Sequence, residues 1–270
     1  MSIRRIYIDS KHRASGTPSS FSYQLPRSIE TPDETVCYVD SVFLPNVWGT
    51  FNADNNKLYV VEHATGGTEV KRLLLLEIGN YSSLELANAI ETHLNLSKTL
   101  ANDYSVTYIE RTGKFQIVNS SPGTWYLATR TQLKDPAGFW AGQVITDPKD
   151  CYSVIGFMGT EVVSSGTLSL TGYVQLQPYK TLFLCSSSFG NPNQSIGPVS
   201  QSDIIRRIVV AAPFGNYVHD QHSTQADYVD CSLCQLDNLS FRLTDSEGHT
   251  VDLHGHSISF SLCFVNKAVV

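Results

Sequence analysis

Apolar and polar residues alternate with a period of two along much of this chain, and that pattern predicts β-strands over most of its length. Alternation is clearest near the end. Leu239, Phe241 and Leu243 alternate with Ser240, Arg242 and Thr244, and beyond the turn Asp245-Ser-Glu-Gly248 the residues Ile258, Phe260, Leu262 and Phe264 alternate with serines and Cys263. Residues 21–25 alternate up to Pro26, and residues 35–44 are apolar on both faces up to Pro45, as in a strand packed on two sides. Segments 57–61 and 70–78 flank Gly66-Gly67, a pair suited to a hairpin turn.

One stretch departs from this period. Ser82-Ser-Leu-Glu85 has the form of a capping box, and Leu86, Ala87, Ile90 and Leu94 follow at helical spacing. Two strands joined by Arg111-Thr-Gly113 come next, then an irregular stretch with Trp125 and Trp140. Residues 66–160 therefore read as a small α+β unit inserted between β segments. Eight strands remain outside it: 21–25, 35–44, 57–62, 173–177, 181–185, 203–210, 236–243 and 257–265. Eight antiparallel strands with long, uneven connections predict a mainly β chain, a single jelly-roll β-sandwich. An immunoglobulin-like sandwich is the alternative, weakened by the missing Cys…Trp…Cys spacing. The expected division is an N-terminal arm over 1–19, jelly roll over 20–65, the insert over 66–160, and jelly roll again over 161–270.

Charge singles out the beginning of the chain. The 270 residues carry a formal charge of −6, but the first thirteen contribute +3 through Arg4, Arg5, Lys11 and Arg13 against Asp9, which leaves −9 on the rest. Ile6 and Ile8 alternate with Tyr7 and Asp9 before Ala-Ser-Gly-Thr-Pro-Ser-Ser breaks the run. This reads as a basic arm, centred on Arg4, Arg5, Ile6, Ile8, Lys11 and Arg13, that leaves the body and meets an acidic partner: nucleic acid or a neighbouring protein surface. No apolar run reaches membrane-spanning length, and no apolar h-region follows the first basic residues, so neither a span nor a signal peptide is expected. The six cysteines then read as reduced, buried, small hydrophobic residues.

Three patterns bear on chemistry. Cys231-x-x-Cys234 followed by His249 and His254 fits loose zinc-site spacing, but the intervening strand pattern and Gly255 argue against the helix such a site needs. His254-x-His256, six residues past Gly248, resembles half of a cupin metal motif; alternation would put both on the face of Ile258 and Phe260, yet no glutamate follows and no second motif exists. His219-Asp-Gln-His222 reads as a surface loop. Phosphate loops, nucleophile elbows and paired-carboxylate motifs are absent, so no catalytic residue, metal or cofactor is expected.

The opening Arg4-Arg-Ile-Tyr-Ile-Asp-Ser-Lys-His-Arg13, the Gly-Thr-Pro-Ser-Ser-Phe21 that follows, the strand ending Leu44-Pro-Asn46, Gly79-Asn-Tyr-Ser-Ser83 opening a helix, and the close from Leu243-Thr-Asp-Ser-Glu-Gly248 through Val251-Asp-Leu-His-Gly255 to Ser259-Phe-Ser-Leu262 together resemble the penton proteins of virophages and Polinton-type viruses. Single jelly-roll minor capsid proteins of large double-stranded DNA viruses share the opening. The resemblance covers both ends and the helical unit and leaves residues 125–200 unmatched. It implies a structural, non-enzymatic capsid subunit: an upright jelly roll, five copies about a fivefold axis, with the insert projecting outward. The implied partners are further copies of itself and the major capsid protein, with genome or host receptor as additional ones, and the implied location is the virion vertex after assembly in a reducing host compartment. A minor capsid, cement or receptor-binding role and a cupin-type metal enzyme are the alternatives. Trp125, Tyr126, Phe139 and Trp140 are the expected outward contacts of the insert, unless they form its core.

Overall fold

The structure, a computed structural model, describes residues 4–164, 166–189, 203–221 and 227–267. In chain order its elements are β1 (Arg4–Asp9), β2 (Ser15–Thr17), β3 (Ser20–Glu30), β4 (Thr35–Pro45), β5 (Lys57–Ala64), β6 (Glu69–Leu75), α1 (Ser83–Asn95), β7 (Ser105–Ile109), β8 (Lys114–Val118), β9 (Gly123–Leu127), α2 (Arg130–Lys134), α3 (Tyr152–Ile155), β10 (Thr167–Ser169), β11 (Thr181–Cys185), β12 (Ile204–Val209), β13 (Tyr217–Asp220), β14 (Val229–Asp230), β15 (Gln235–Thr244) and β16 (Ser259–Asn266). They form two compact units. One uses the two ends of the sequence, up to Val47 and from Tyr179; the other is continuous from Trp48 to Pro178.

The discontinuous unit is a jelly roll. One sheet has the order β1-β16-β4-β13, with β14 also on β4, and the other runs β12-β11-β15-β3-β2. Every pairing is antiparallel. Following β1, β3, β4, β11, β12, β13, β15 and β16, the chain changes sheet at each step except the β11–β12 hairpin, which is the jelly-roll path. Inward residues interlock between the sheets: the Phe241 ring meets Phe260 edge-on at 4.8 Å and Phe21 at 5.5 Å, and Val42, Leu44, Leu182, Leu184, Leu239 and Leu262 are buried around them. Pro26 does not end its strand. It lies where the β3–β15 register jumps from Gln24↔Asn238 to Ile29↔Leu236, and an irregular ladder tolerates a residue without an N–H.

Six of the eight expected strands hold. The strand at 57–62 is real but pairs with β6 and β9 in the continuous unit, and 173–177 forms no strand. Their places in the jelly roll belong to β1 and β13. The continuous unit is wider than the expected 66–160 because β5 pairs forward in sequence, and because Val174 and Gln175 donate backbone hydrogen bonds to Gly113 and Val154 of the same unit.

That unit packs α1 with two three-stranded sheets, β6-β5-β9 and β10-β8-β7. The Ser82–Glu85 capping box forms at the start of α1, and Leu86, Ala87, Ile90 and Leu94 are its buried stripe. A charge sits in the same interior. Glu62, fully buried on β5, pairs with Arg72 on β6 and accepts hydrogen bonds from the Tyr104 hydroxyl at 2.8 Å and from the Thr99 N–H and hydroxyl, each at 2.7 Å. Arg72 also donates to the carbonyls of His93, Leu94 and Leu96, capping the negative end of α1. Burial alone would raise the Glu62 pKa, but these donors outweigh it and hold the carboxyl ionised.

Replacing Arg72 by Met should strand the Glu62 charge and release three helix carbonyls. The expected cost is about 3–5 kcal/mol in the unfolding transition of this unit, measured by urea denaturation followed at its tryptophans; a loss within experimental error would contradict the network. A second prediction concerns acid. Burial opposes ionisation of Glu161, but the Thr171 hydroxyl and the N–H groups of Met158 and Thr171 hold its pKa down at about 2. A folded pKa below the unfolded ~4.3 stabilises the fold above the latter and loses that contribution as pH falls toward the former. Glu161→Gln should therefore lower the melting temperature at pH 6, with the gap from wild type closing between about pH 4.3 and pH 2.

Candidate assembly surface

The basic opening segment is a strand of the body. Arg4 lies opposite Phe264, Ile6 opposite Leu262 and Ile8 opposite Phe260, so the arm expected to leave the protein is instead the edge strand of its own sheet. Ile8 is 1% exposed, Ile6 is half-buried, and Tyr7, on the other face, is 73% exposed. The physical reason is simple: Ile6 and Ile8 find apolar cover against β16 without leaving the chain. After β1 the chain turns at once. The Asp9 carboxylate accepts from the Lys11 N–H at 2.8 Å, buried Ser10 exchanges hydrogen bonds with Ile258, and β2 runs back along β3. Gly16 makes that return possible: its φ is +92°, and a Cβ there would lie 2.2 Å from the Ser20 carbonyl oxygen.

The charges divide by use. Arg5 reaches over the outer face to Cys263 Sγ at 3.2 Å and to Asp40 at 3.3 Å, and Arg13 donates to the carbonyls of Ser10 and Gly16. Arg4 and Lys11 are exposed and make no ion pair among the described residues. Farther across the same sheet, on β4 and β13, the outer face is aromatic. Phe43, 42% exposed, stacks on His219 with centroids 4.1 Å apart, Tyr217 is 68% exposed, and Tyr38 stacks on Tyr228 at 4.9 Å. One edge of β1 is on β16; its other edge has no strand partner among the described residues. An unpaired edge with Arg4 and Lys11 at its two ends and the Tyr7 ring exposed between them is a surface suited to another polypeptide. Alternation in β1 was readable from sequence. That β13, set in a Gly-Asn-Tyr stretch expected to be loop, would carry His219 onto this face was not.

The other expected sites disperse. Trp125 and Phe139 are core residues of the continuous unit, at 3% and 2% exposure: Trp125 meets Tyr104 edge-on at 5.1 Å, and Phe139 meets Tyr59 at 5.3 Å. Tyr126 and Trp140 are half-buried against the same core, so Trp125 and Phe139 belong to the interior while Tyr126 and Trp140 keep part of their rings exposed. His254 and His256 lie exposed in a turn before β16, off the face of buried Ile258 and Phe260. Of the zinc-like set, Cys231 is buried, Cys234 is exposed, and His249 turns to Asp245 at 3.5 Å. His222 lies outside the described residues. Among the described residues, no three His, Cys, Asp or Glu side chains gather as metal ligands, and no helix is long and apolar enough to cross a membrane.

No family model and no curated protein matches the sequence. Solved structures do. The mavirus penton protein aligns over 98% of this chain and 99% of its own at 10% identity, with a TM-score of 0.52. The chain has a penton-protein fold. A chain of the Sputnik virophage, solved by cryo-EM, aligns over 98% of both at 14% identity with a TM-score of 0.48. The mavirus alignment spans both units, so the penton fold accounts for the interrupted jelly roll and for the unit that interrupts it.

If β1 is integral to this fold, truncating Ile8 should destabilise it while the free charges should not. Ile8→Ala is expected to cost about 2–5 kcal/mol in the jelly-roll transition. Arg4→Ala and Lys11→Ala should each stay within about 0.5 kcal/mol. Urea titrations of the three variants check this, and an unaffected Ile8→Ala would return β1 to the status of an arm.

Proposed function

We propose that this protein is a structural subunit of an icosahedral double-stranded DNA virus, forming the pentameric vertex, the penton, of its capsid. The observation that carries the reading is the end-to-end correspondence with the mavirus penton protein, insert included. The jelly-roll path and the placement of the insert between β4 and β11 support it. On this reading the partners are four further copies and the major capsid protein of the same virus, the location is the virion vertex, and assembly takes place in a reducing host compartment. The protein has no catalytic role. The unpaired edge of β1, with Arg4, Lys11 and Tyr7, is the surface through which a subunit engages a neighbour, and the acidic remainder of another copy is the complement for its charge.

Coulomb attraction at such an exposed rim contributes only about 0.2–1 kcal/mol per pair, so backbone pairing and apolar contact must supply most of the association. Native mass spectrometry of the purified protein is expected to show five copies, and co-expression with the major capsid protein should place it at particle vertices in electron micrographs. A protein that stays monomeric and absent from particles would sink the proposal. Arg4→Glu with Lys11→Glu should reduce incorporation into particles without lowering the melting temperature. Binding to DNA with steep salt dependence, lost in the same variant, would instead assign these cations to the genome.

A further inference from the structure

At one end of the jelly roll, three cysteines from two distant parts of the sequence come together. Cys37 is on β4; Cys231 and Cys234 bracket the turn between β14 and β15. The sulfurs of Cys37 and Cys231 are 3.1 Å apart, inside van der Waals contact, and both residues are 1% exposed. The turn is held in place by its neighbours. The Cys231 N–H donates to the Thr35 carbonyl at 2.9 Å, the Thr31 hydroxyl donates to the carbonyls of Cys231 and Cys234 and accepts from the Cys234 N–H, and Leu233 takes a left-handed φ of 56°. Cys234, by contrast, is exposed, with its sulfur turned to the Ser232 carbonyl and not toward Cys231.

We propose that Cys37 and Cys231 are a latent disulfide pair, closed by thiol–disulfide exchange that enters through Cys234. The sulfurs need approach by only roughly 1 Å to reach the ~2.05 Å of a bond. Burial keeps a dissolved oxidant from either of them, and the exposed thiol three residues along is the accessible nucleophile. With oxidised glutathione, the Cys234 thiolate attacks one glutathione sulfur, the glutathione S–S bond breaks, and one glutathione thiolate leaves. Cys231 then attacks the Cys234 sulfur and expels the second glutathione. Finally Cys37 attacks Cys231, releasing Cys234 as a thiolate. Two protein thiols lose two electrons and two protons, and one glutathione disulfide becomes two glutathione thiols. The hydrogen bond with the adjoining Cys231 sulfur, and then burial, keep Cys37 as a thiol, its pKa well above the ordinary range, so the last step is slow and the pair stays open wherever a reducing pool competes. Cys151, Cys185 and Cys263 are buried one by one at other places and have no such partner.

The bond would join positions 194 residues apart, which restricts the unfolded chain strongly. This inference is independent of the capsid reading, since it concerns the folded chain by itself. The test uses full-length reduced protein incubated with oxidised glutathione at neutral pH. The expected product has lost about 2 Da, yields a non-reduced peptide linking Cys37 to Cys231, and melts several degrees higher until dithiothreitol restores it. Cys234→Ser should still form the link but about tenfold more slowly. A glutathione adduct on Cys234 alone, a Cys231–Cys234 link that persists as the end product, or no reaction would each overturn the pair. Equal rates with and without Cys234 would overturn its part as the point of entry. Because the linkage is read on the wild-type protein, the result does not depend on any variant folding.

Discussion

The jelly roll depends on β16 being paired along both of its edges. It takes β4 on one side, from Asn266↔Thr35 to Ser259↔Phe43, and β1 on the other, from Phe264↔Arg4 to Ser259↔Asp9. Of the residues it places inward, Phe260, Leu262 and Phe264, Phe260 meets the opposite sheet at Phe241, and Phe264 meets Phe189 in the segment that follows β11. A slip of one residue in either ladder would turn this set outward and bring Ser259, Ser261 and Cys263 in, so packing and register enforce one another. The single irregularity, between Ser261 and Leu262, leaves Ser261 hydrogen-bonded to Ser41 at 2.9 Å, so the bulge does not leave that hydroxyl unsatisfied.

The continuous unit solves a different problem. Its strands are short, and a small domain built on them has little core per residue. It gathers a large set of rings and aliphatic side chains, from Phe51 to Leu170, into one cluster, and within it Glu62 ties β5, β6, the end of α1 and the Thr99–Tyr104 segment to a single point. A buried carboxylate is a poor source of net stability but a stringent one of specificity, because any arrangement that separates it from Arg72 leaves both desolvated and unpaired.

Sequence pattern revealed more of the fold than of the surface. Alternation located β3, β4, β11, β12, β15 and β16, and the capping box located α1, because each signal is local. Period two says that a segment is a strand but not which sheet receives it. Hence alternation alone puts β5 in the jelly roll although its partners are β6 and β9, and makes β1 an arm although its partner lies more than 250 residues on, in β16. The tryptophan-bearing stretch offered outward contact or core, and only the packing of Trp125 on Tyr104 decides between them. The Cys37–Cys231 contact had no sequence signal. Cys231-x-x-Cys234 suggested metal, whereas the sulfur that Cys231 touches comes from 194 residues earlier.

The pairing of Arg4 with Phe264 also orders events in time. On the ribosome, Ile6 and Ile8 emerge long before residues 259–266 and must wait until those are made before their partner exists. Residues 48–178, a compact unit continuous in sequence, can fold in that interval. During that delay β1 is an exposed apolar edge, and Arg4 and Arg5 beside its isoleucines are the residues best placed to keep it soluble until its partner is synthesised.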